Sequence, residues 1–416
     1  MTVAQRSRRP HGRGRGAAVV LLAVILLSAS GCWWEQTGFG PERTYSNGSE
    51  SALTAATVRN ARRLWGDVGL EQAVLVNGTV YSVEGGLVTA YRATTGAIRW
   101  QRYLDVGWSS PPLVHDGVVY VASYRIVESC DPNLPACFSQ PADVAVRRLD
   151  AATGAVLPDL PWAGSGWAPA GPLALGDGYL VSLRGWFPIR FASEVTDPDS
   201  LWVHDLSGAT PDRFVPITTQ SDDLPPVIDS GRHQVVVGGD SGVEAMPLAC
   251  AAPCTPTWRR DGPVTAFAAQ ADTVVVATGA GEVLVLDART GAVRTTLPVD
   301  AGPAALAAGG DTIVSRTPAG LKAFRSCPAS GCTPAWRSSL PAYGQPVIAG
   351  NLVYANSGPD PISAGLTLDA YRLNGCGAST CAPVARLPAF GGRYGPVVAQ
   401  GILVAGTDVF GLPAPP

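Results

Sequence analysis

The feature that most constrains this chain of 416 residues is an internal repeat of a strand, a tight turn and a second strand. Three copies align over the turn, at 88–100, 146–156 and 283–293, and each carries the run Ala-x-Thr-Gly-Ala between apolar segments. Self-similarity of this kind is typical of architectures that stack one small unit many times. The repeat therefore predicts a fold made of equivalent β units.

The turn of the repeat explains its glycine. Gly96, Gly154 and Gly291 end the turn, where the backbone must take a positive φ that glycine adopts at no steric cost. Asp150 and Asp287 stand before two of the turns and are predicted to cap them through Asx turns. A further pair of strands precedes each repeat, so one unit holds four strands, the number found in a propeller blade.

Seven whole units of this kind follow one another along the chain. They begin near Glu71, Val106, Gly171, Asp223, Pro263, Ala301 and Tyr343. An incomplete eighth unit remains, in which 394–411 supplies three strands and 57–65 supplies an isolated fourth. Pairing the two ends of the chain in one sheet would close the ring and hide strand edges that are otherwise exposed.

The Leu-Asp-Ala-x-Thr-Gly turn followed by tryptophan resembles the pyrroloquinoline-quinone-like repeat of quinoprotein propellers. The resemblance is strong in three repeats and looser in the others. It implies an all-β fold over 53–416, an eight-bladed quinoprotein-like β-propeller whose last blade is closed by an N-terminal strand. It implies little about function, because one fold hosts many activities. Four tryptophans share one place in their repeats and are predicted to dock between blades: Trp65, Trp100, Trp258 and Trp336.

The first 31 residues have the pattern of an export signal, with arginines over 6–15 and an apolar stretch over 17–27. That stretch is too short to span a bilayer comfortably. The run Ala-Ser-Gly-Cys at 29–32 resembles the bacterial lipobox, with alanine where leucine is favoured. The resemblance implies that Cys32 receives acyl chains such as palmitate and becomes the first residue of a lipoprotein. Ordinary secretion, with Cys32 as a spare thiol, is the alternative.

The segment that follows the predicted lipidated cysteine has no core pattern. Residues 32–52 are rich in Gly, Ser and Glu and lack a hydrophobic period. Such composition is typical of flexible linkers. The sequence therefore predicts a flexible tether between the membrane and the propeller.

The other eight cysteines fall into four local pairs. These are Cys130/Cys137, Cys250/Cys254, Cys327/Cys332 and Cys376/Cys381. Disulfides are the default in an exported chain. The last three pairs stand where other repeats have the glycine turn, so a disulfide loop is predicted to replace it, while the first pair is predicted to staple an insertion at 127–142. Zinc is the rival, but it needs two pairs brought together, and turns of successive blades point outward around a ring.

The sequence offers little that indicates catalysis. No nucleophile motif stands out, the adjacent cysteines of alcohol-oxidising quinoproteins are missing, and no Glu, Asn and Asp set for calcium is assignable. His115, His204 and His233 are isolated and predicted to lie at strand ends or on the surface. We therefore predict no catalytic residue, metal or cofactor. The alternative is a quinone-dependent dehydrogenase, or another enzyme with its site in the funnel, using pyrroloquinoline quinone with calcium.

Aromatic residues are predicted to ring the funnel of the propeller. Residues just before the innermost strand of a blade surround the central channel, and here they include Trp108, Trp167, Tyr343 and Tyr394. Rings at a funnel mouth suit stacking on a sugar, a peptide or a flat ligand. The alternative is that they pack against neighbouring loops. A long insertion at 184–199 adds a loop of the kind that often carries binding.

Charge and export together narrow the partners. Residues 1–31 carry five arginines and no acidic residue, so the remainder has 25 basic against 33 acidic residues, a net charge of −8. Nucleic acid is not an expected partner for such a chain. We predict a monomeric binding or scaffold module at the bacterial cell envelope, lipid-anchored to the outer face of the cytoplasmic membrane. Its partner would be an unidentified envelope protein or glycan.

Overall fold

Each predicted unit folds into one sheet whose main strands lie side by side in chain order. The computed structural model describes residues 33–413 apart from 68, 131–136, 163–166, 187–199, 220–223, 251–252, 301, 303, 326, 328–330, 358–366 and 390–394. Within these residues the chain forms eight β-sheets and two short 3₁₀ helices, Val58–Asn60 and Leu70–Gln72. No helix in that part of the chain is long and apolar enough to cross a membrane.

Two strands precede the first blade, and the strands of the first four blades follow. The two early strands are β1 (Ser46–Asn47) and β2 (Arg62–Gly66). Blade one holds β3 (Val74–Val76), β4 (Thr79–Glu84), β5 (Leu87–Arg92) and β6 (Ile98–Tyr103). Blade two holds β7 (Trp108–Ser109), β8 (Leu113–His115), β9 (Val118–Cys130), β10 (Cys137–Asp150) and β11 (Val156–Pro161). Blade three holds β12 (Trp167–Gly176), β13 (Tyr179–Trp186), β14 (Ser200–Asp205) and β15 (Arg213–Pro216), and blade four holds β16 (Val227–Asp229), β17 (Gln234–Gly239), β18 (Gly242–Pro247) and β19 (Trp258–Asp261).

The last four blades repeat the arrangement. Blade five holds β20 (Val264–Gln270), β21 (Thr273–Thr278), β22 (Val283–Asp287) and β23 (Val293–Leu297). Blade six holds β24 (Ala305–Gly309), β25 (Thr312–Thr317), β26 (Gly320–Arg325) and β27 (Trp336–Ser338). Blade seven holds β28 (Tyr343–Ala349), β29 (Leu352–Ser357), β30 (Thr367–Arg372) and β32 (Ala385–Leu387), with β31 (Thr380–Cys381) added to the sheet of blade six. Blade eight holds β33 (Val397–Ala399), β34 (Ile402–Ala405) and β35 (Asp408–Gly411).

The ring closes through the N-terminal strand, as predicted. β2 pairs antiparallel with β35, placing Arg62 opposite Gly411 and Gly66 opposite Asp408. The strand begins later than the predicted 57–65, because residues 58–60 form a 3₁₀ turn instead. The all-β, eight-bladed propeller is therefore confirmed.

The core of the molecule lies between neighbouring blades. Every residue of the second strands β17 and β29 is buried, whereas the outermost strand β6 is exposed at all but one position. A middle strand packs against a blade on each side, so both of its faces are buried, and β17 for example reads Gln-Val-Val-Val-Gly-Gly. Each fully buried valine contributes about 1.5 kcal/mol or more from removal of its surface from water.

The four predicted tryptophans do dock between blades. Each donates its indole N–H to a carbonyl at the third turn of the following blade: Trp65 to Ala93, Trp100 to Ala151, Trp258 to Ala288 and Trp336 to Leu373, over 2.7–3.0 Å. The turn glycine lies against the ring, and a Cβ at Gly154 would approach Trp100 to 2.6 Å. Gly154 has a φ of 69°, as the turn predicts. Asp150 and Asp287 cap their turns through the backbone N–H groups two and three residues on.

Three of the predicted disulfides are formed. They join Cys250 to Cys254, Cys327 to Cys332 and Cys376 to Cys381, between the third and fourth strands of blades four, six and seven. The loop of blade seven also pairs with its neighbour, because β31 runs parallel to β27. In blade two, Cys130 and Cys137 lie opposite each other in the β9–β10 hairpin. Their side chains fall outside the described residues, so that fourth disulfide stays a prediction.

Residues 33–52 do not form the predicted flexible tether. They enter the central channel and pair with the innermost strands of the blades. We call residues 33–50 the plug. The expectation of a tether is corrected because the segment pairs through its backbone, which its polar composition does not reveal.

The plug distinguishes the two faces of the ring. Innermost strands all run towards the plug face, which carries the turns between first and second strands and between third and fourth strands. The opposite face, here the crossover face, carries the turns between second and third strands. It also carries the segments that join the outermost strand of one blade to the innermost strand of the next.

Candidate functional site

The plug contacts every blade at the same place, the second-to-last residue of the innermost strand. In seven blades that residue donates its backbone N–H to the plug over 2.8–3.0 Å: Leu75 to Trp34, Val114 to Glu35, Leu175 to Gln36, Ile228 to Pro41, Ala269 to Glu42, Ala308 to Thr44 and Ile348 to Tyr45. In blade eight, Asn47 Nδ2 donates to the carbonyl of Val398 over 2.8 Å. Innermost strands would otherwise present unpaired N–H groups to the channel. The plug therefore satisfies the inner edge of the whole ring.

The backbone conformation of the plug and one of its amide side chains allow a single segment to follow the inner circle of the ring. Gly38, Phe39, Arg43 and Tyr45 have positive φ values between 46° and 85°, which bend the backbone sharply. Where the backbone cannot reach, an amide side chain replaces it. Gln36 both donates to the Leu175 carbonyl and accepts from its N–H, each over 3.0 Å, as a neighbouring strand would.

Arg43 fills the channel just above the plug. Its guanidinium donates to the carbonyls of Leu173 and Pro226 over 2.8 Å and of Thr37 over 3.0 Å, and only 1% of the residue is exposed. Leu173 and Pro226 each stand two residues before a plug contact, so the guanidinium lies nearer the crossover face than the plug backbone. Burial lowers the pKa of Arg43 to about 10, which leaves it protonated at neutral pH.

Ionisable groups fasten both ends of the plug. Glu35 accepts a hydrogen bond from His115 Nδ1 over 3.2 Å, and His115 Nε2 lies 3.4 Å from Asp116. The bond to Glu35 is the largest cause of a raised pKa for His115. At the other end, the Glu50 carboxylate accepts from the N–H groups of Leu53 over 2.9 Å and Gly401 over 3.0 Å.

The predicted aromatic ring lies on the crossover face, and only part of it is described. Trp108 stacks on Tyr124 of its own blade, with ring centroids 5.2 Å apart, so it packs against the sheet. Tyr343 is half-buried at the start of β28. The side chain of Trp167 and all of Tyr394 lie outside the described residues. Two of the four rings are therefore described, and a ligand site built from all four stays a prediction.

Sequence reasoning missed the polar side chains that join blades near the crossover mouth. The half-buried Arg316 of blade six donates through Nε to the carbonyl of Gly344 over 3.0 Å, and burial lowers its pKa. Thr265 of blade five donates to the carbonyl of Ala304 over 3.0 Å. Single polar residues within strands give no sequence signal, because their partners are carbonyls of distant blades.

Buried charged side chains of one blade form hydrogen bonds with the crossover segment that precedes that blade. The fully buried Glu244 accepts from the N–H of Thr218 over 2.7 Å and from its hydroxyl over 2.6 Å. Lys322, the single lysine of the chain, donates to Asp300 over 2.7 Å and to the Pro298 carbonyl over 3.2 Å. Both partners follow the outermost strand of the preceding blade. These hydrogen bonds therefore hold the two crossover segments against the sheets.

The described histidines pair with carboxylates, and one described cleft opens between two blades. His204 lies 2.6 Å from Asp212 and His233 lies 2.8 Å from Asp177, each near a strand end as predicted. An open cleft of about 410 Å³ lies on the plug face between blades four and five, lined in part by Arg232. Arg232 already donates to the carbonyl of Ala271 over 2.6 Å.

Pyrroloquinoline quinone with calcium does not fit the described part of the channel. Calcium takes six to eight oxygen ligands, and no group of three His, Cys, Asp or Glu among the described residues could hold a metal ion. The plug occupies the channel at the plug face. Arg43, the buried cation of the plug, already donates to three carbonyls rather than to an acid.

Comparisons with known proteins agree with this fold. The family described as outer membrane protein assembly factor BamB matches residues 49–173. No curated protein matches the chain. A quinohemoprotein alcohol dehydrogenase from Pseudomonas putida HK5 is similar, with a TM-score of 0.66 and 12% identity over 95% of this chain and 83% of that one. BamB from Moraxella catarrhalis is similar with a TM-score of 0.53 and 17% identity, over 86% of this chain and 96% of that one.

The third similar structure is that of a designed protein. The computationally designed Ika8 protein has a TM-score of 0.57 and 16% identity, over 84% of this chain and 98% of its own. Identities this low describe fold alone. The chain is thus an eight-bladed propeller. Its fold is similar to that of both the dehydrogenases and BamB, and the predicted resemblance to quinoprotein propellers is confirmed.

Proposed function

We propose that this chain is a lipid-anchored propeller of the bacterial cell envelope that binds another envelope component through its crossover face. The observation that carries the proposal is the contrast between the faces. The channel is closed at the plug face by residues 33–50, while the crossover face bears the long β9–β10 hairpin. A rigid ring that presents varied segments on one face is suited to recognition.

Export is supported by the leader and by the disulfides. An export signal precedes Cys32 in the sequence, and three local disulfides replace turns of the repeat. Such bonds persist in oxidising compartments outside the cytoplasm. The family whose model matches residues 49–173 is described as an outer membrane protein assembly factor, which agrees with a role in binding. Cys32 lies outside the described residues, so its lipidation belongs to this proposal.

The crossover mouth indicates the chemistry of the partner. Tyr343 offers an aromatic face. The half-buried Arg316 offers a cation close to it, because Arg316 donates a hydrogen bond to the carbonyl of Gly344, the next residue in the chain. This pairing suits a sugar or a peptide that carries an acidic group. We therefore propose an envelope protein or glycan as partner.

Site-specific photo-crosslinking in the native host tests the proposal. A benzophenone amino acid would replace Ile126, which is 44% exposed on the crossover-face hairpin, or Tyr343. The matched control places it at Thr94, exposed in a turn of the plug face. We expect one discrete adduct from the crossover positions and none of that mass from Thr94. Adducts of the same pattern from all three positions, or none from the crossover face, would contradict it.

A dehydrogenase is the second candidate, because the fold is similar to that of quinohemoprotein alcohol dehydrogenase. Native mass spectrometry of the mature protein, made in an exporting host, separates the two. The protein would be measured with and without added calcium and pyrroloquinoline quinone. A stoichiometric quinone adduct that requires calcium would favour the enzyme, whereas an unchanged polypeptide mass would favour the binding module.

A further inference from the structure

We infer that the plug face rests directly against the lipid bilayer, and that the crossover face points away from it. This inference rests on the proposed lipid anchor at Cys32. It adds an orientation to that proposal, and the observation behind it is the absence of free chain between Cys32 and the ring. Trp33 is already described as part of the folded unit that continues to the C-terminal end.

The first paired residue of the plug is only two positions after Cys32. Trp34 and Leu75 exchange backbone hydrogen bonds of 2.9 and 3.0 Å, and only 2% of Trp34 is exposed. Consecutive Cα atoms lie about 3.8 Å apart, so the Cys32 Cα can lie no more than about 8 Å from that of Trp34. A flexible tether of 20 residues would instead allow a mean separation of roughly 25 Å.

The direction of the bridge shows on which face the anchor emerges. Trp34 pairs antiparallel with Leu75. The innermost strand β3 runs towards the plug face, so the plug enters the channel in the opposite direction at this point. The chain before Trp34 therefore leaves the ring on the plug face.

The turns between first and second strands give the plug face a nearly uniform level around the ring. In seven blades the turn between the first two strands has only two residues, at 77–78, 116–117, 177–178, 271–272, 310–311, 350–351 and 400–401. The crossover face has no such uniform level, since β9 has 13 residues where β4 has six. Seven additional residues extend a strand by roughly 20 Å.

The covalent link, rather than surface charge, sets this orientation. The short turns carry acidic residues, Asp116, Asp177, Asp272 and Asp311, which do not attract anionic headgroups. Trp33 is partly exposed and packs against a buried cluster that includes Leu75. Tryptophan is favoured at the level of lipid headgroups, so its position agrees with a bilayer at this face.

Fluorescence quenching in vesicles tests the orientation. The mature lipoprotein would be reconstituted in phosphatidylcholine vesicles that contain headgroup spin label, with one fluorophore on T94C at the plug face or on E282C at the crossover face. Both positions are exposed in turns. We expect several-fold stronger quenching at position 94 than at 282. A 20-residue Gly-Ser insertion between Cys32 and Trp33 should remove the difference.

The outcomes separate failure of the orientation from failure of the anchor. If the protein does not float with the vesicles, or if C32S floats equally well, the proposed anchor is wrong and the inference fails with it. If the protein floats through Cys32 but both positions are quenched equally, the orientation alone is wrong. A difference that survives the Gly-Ser insertion would overturn the short link as its cause.

Discussion

The two faces of this propeller are built by different rules. On the plug face, each of the eight innermost strands offers the same second-to-last residue to the plug. On the crossover face, the segments between the outermost strand of one blade and the innermost strand of the next range from two residues, at 262–263, to ten, at 217–226. Side chains such as Arg316 and Glu244 join blades there one at a time. The plug face thus repeats one contact in every blade, whereas the contacts on the crossover face differ from blade to blade.

From this difference we expect the stability of the ring to depend mainly on the plug face, and the proposed recognition to depend on the crossover face. A contact repeated eight times adds up, so the plug face is expected to carry much of the cooperativity of the ring. Segments that differ from blade to blade are freer to change in length without breaking a shared pattern. The predictions below compare matched changes on the two faces, beginning with the largest effect.

Removal of the plug should be the most damaging change. A mature chain without residues 33–50 loses the seven hydrogen bonds that blade N–H groups donate to the plug and the buried Trp34, a loss of about 5 kcal/mol or more in the free energy of unfolding. The matched crossover change replaces residues 128–139 by Asn-Gly, which closes the hairpin after Val127. Thermal unfolding should show a large fall in Tm for the first variant and a small one for the second.

A synthetic peptide of residues 33–50 provides the control for that deletion. Added in trans to the shortened chain, it should raise Tm with increasing concentration, because it restores the same backbone pairing. A shortened chain as stable as the full one would contradict the assigned role of the plug.

Arg43→Met should come next in size. It keeps an unbranched side chain but leaves three carbonyls without their charged donor, at a cost of about 3 kcal/mol. Arg316→Met at the crossover mouth loses the hydrogen bond to Gly344 and should cost about 1 kcal/mol. Urea unfolding of both variants measures the difference. Equal losses of unfolding free energy would contradict the larger contribution assigned to the guanidinium of Arg43.

Two glycines test the docking of tryptophan. Gly154 and Gly171 have φ values of 69° and 78°, but only at Gly154 would a Cβ meet a neighbour, the Trp100 ring at 2.6 Å. Alanine at Gly171 should cost about 1 kcal/mol from backbone strain alone. Alanine at Gly154 should cost about 1 to 2 kcal/mol more, because the ring must also move. Similar values from urea unfolding would argue against the ring contact.

The smallest predicted effect depends on pH. The folded-state pKa of His115 is raised by its bond to Glu35, so the stabilisation is fully present below the unfolded value near 6.5 and is lost as pH rises through the folded value. Both side chains are more than a third exposed, which limits the effect to less than about 1 kcal/mol. The stability of the wild type relative to His115→Gln should therefore be larger at pH 5.5 than at pH 8. In a Glu35→Gln background this pH dependence should shrink.

The sequence predicts the repeated part of the molecule well. Gly154 marks its turn because only a glycine suits that φ and that ring, and Cys250 and Cys254 mark theirs because they stand at the same register. The closing strand β2 was predicted within a few residues. Each of these features has a side-chain requirement that recurs, and recurrence is what sequence comparison within one chain detects.

The plug escaped prediction for a physical reason. Most of its contacts use backbone carbonyls, which every residue possesses, so its composition remains that of a linker. The adjacent Trp33 and Trp34 were the available signal, because aromatic residues are scarce in flexible segments. The crossover mouth could not be predicted either, since Arg316 and Glu244 bind groups from other blades that share no pattern with them.

The N-terminal segment also determines when the molecule can be completed. Residues 34–47 pair with all eight blades, and β2 completes the sheet that contains β35, the last strand of the chain. The pairing of the N-terminal segment is therefore complete only when the last strand of the chain is present. A chain interrupted before blade eight would leave β2 without its partner strand and Asn47 without its contact to Val398, so the N-terminal segment acts as a check on the integrity of the whole polypeptide.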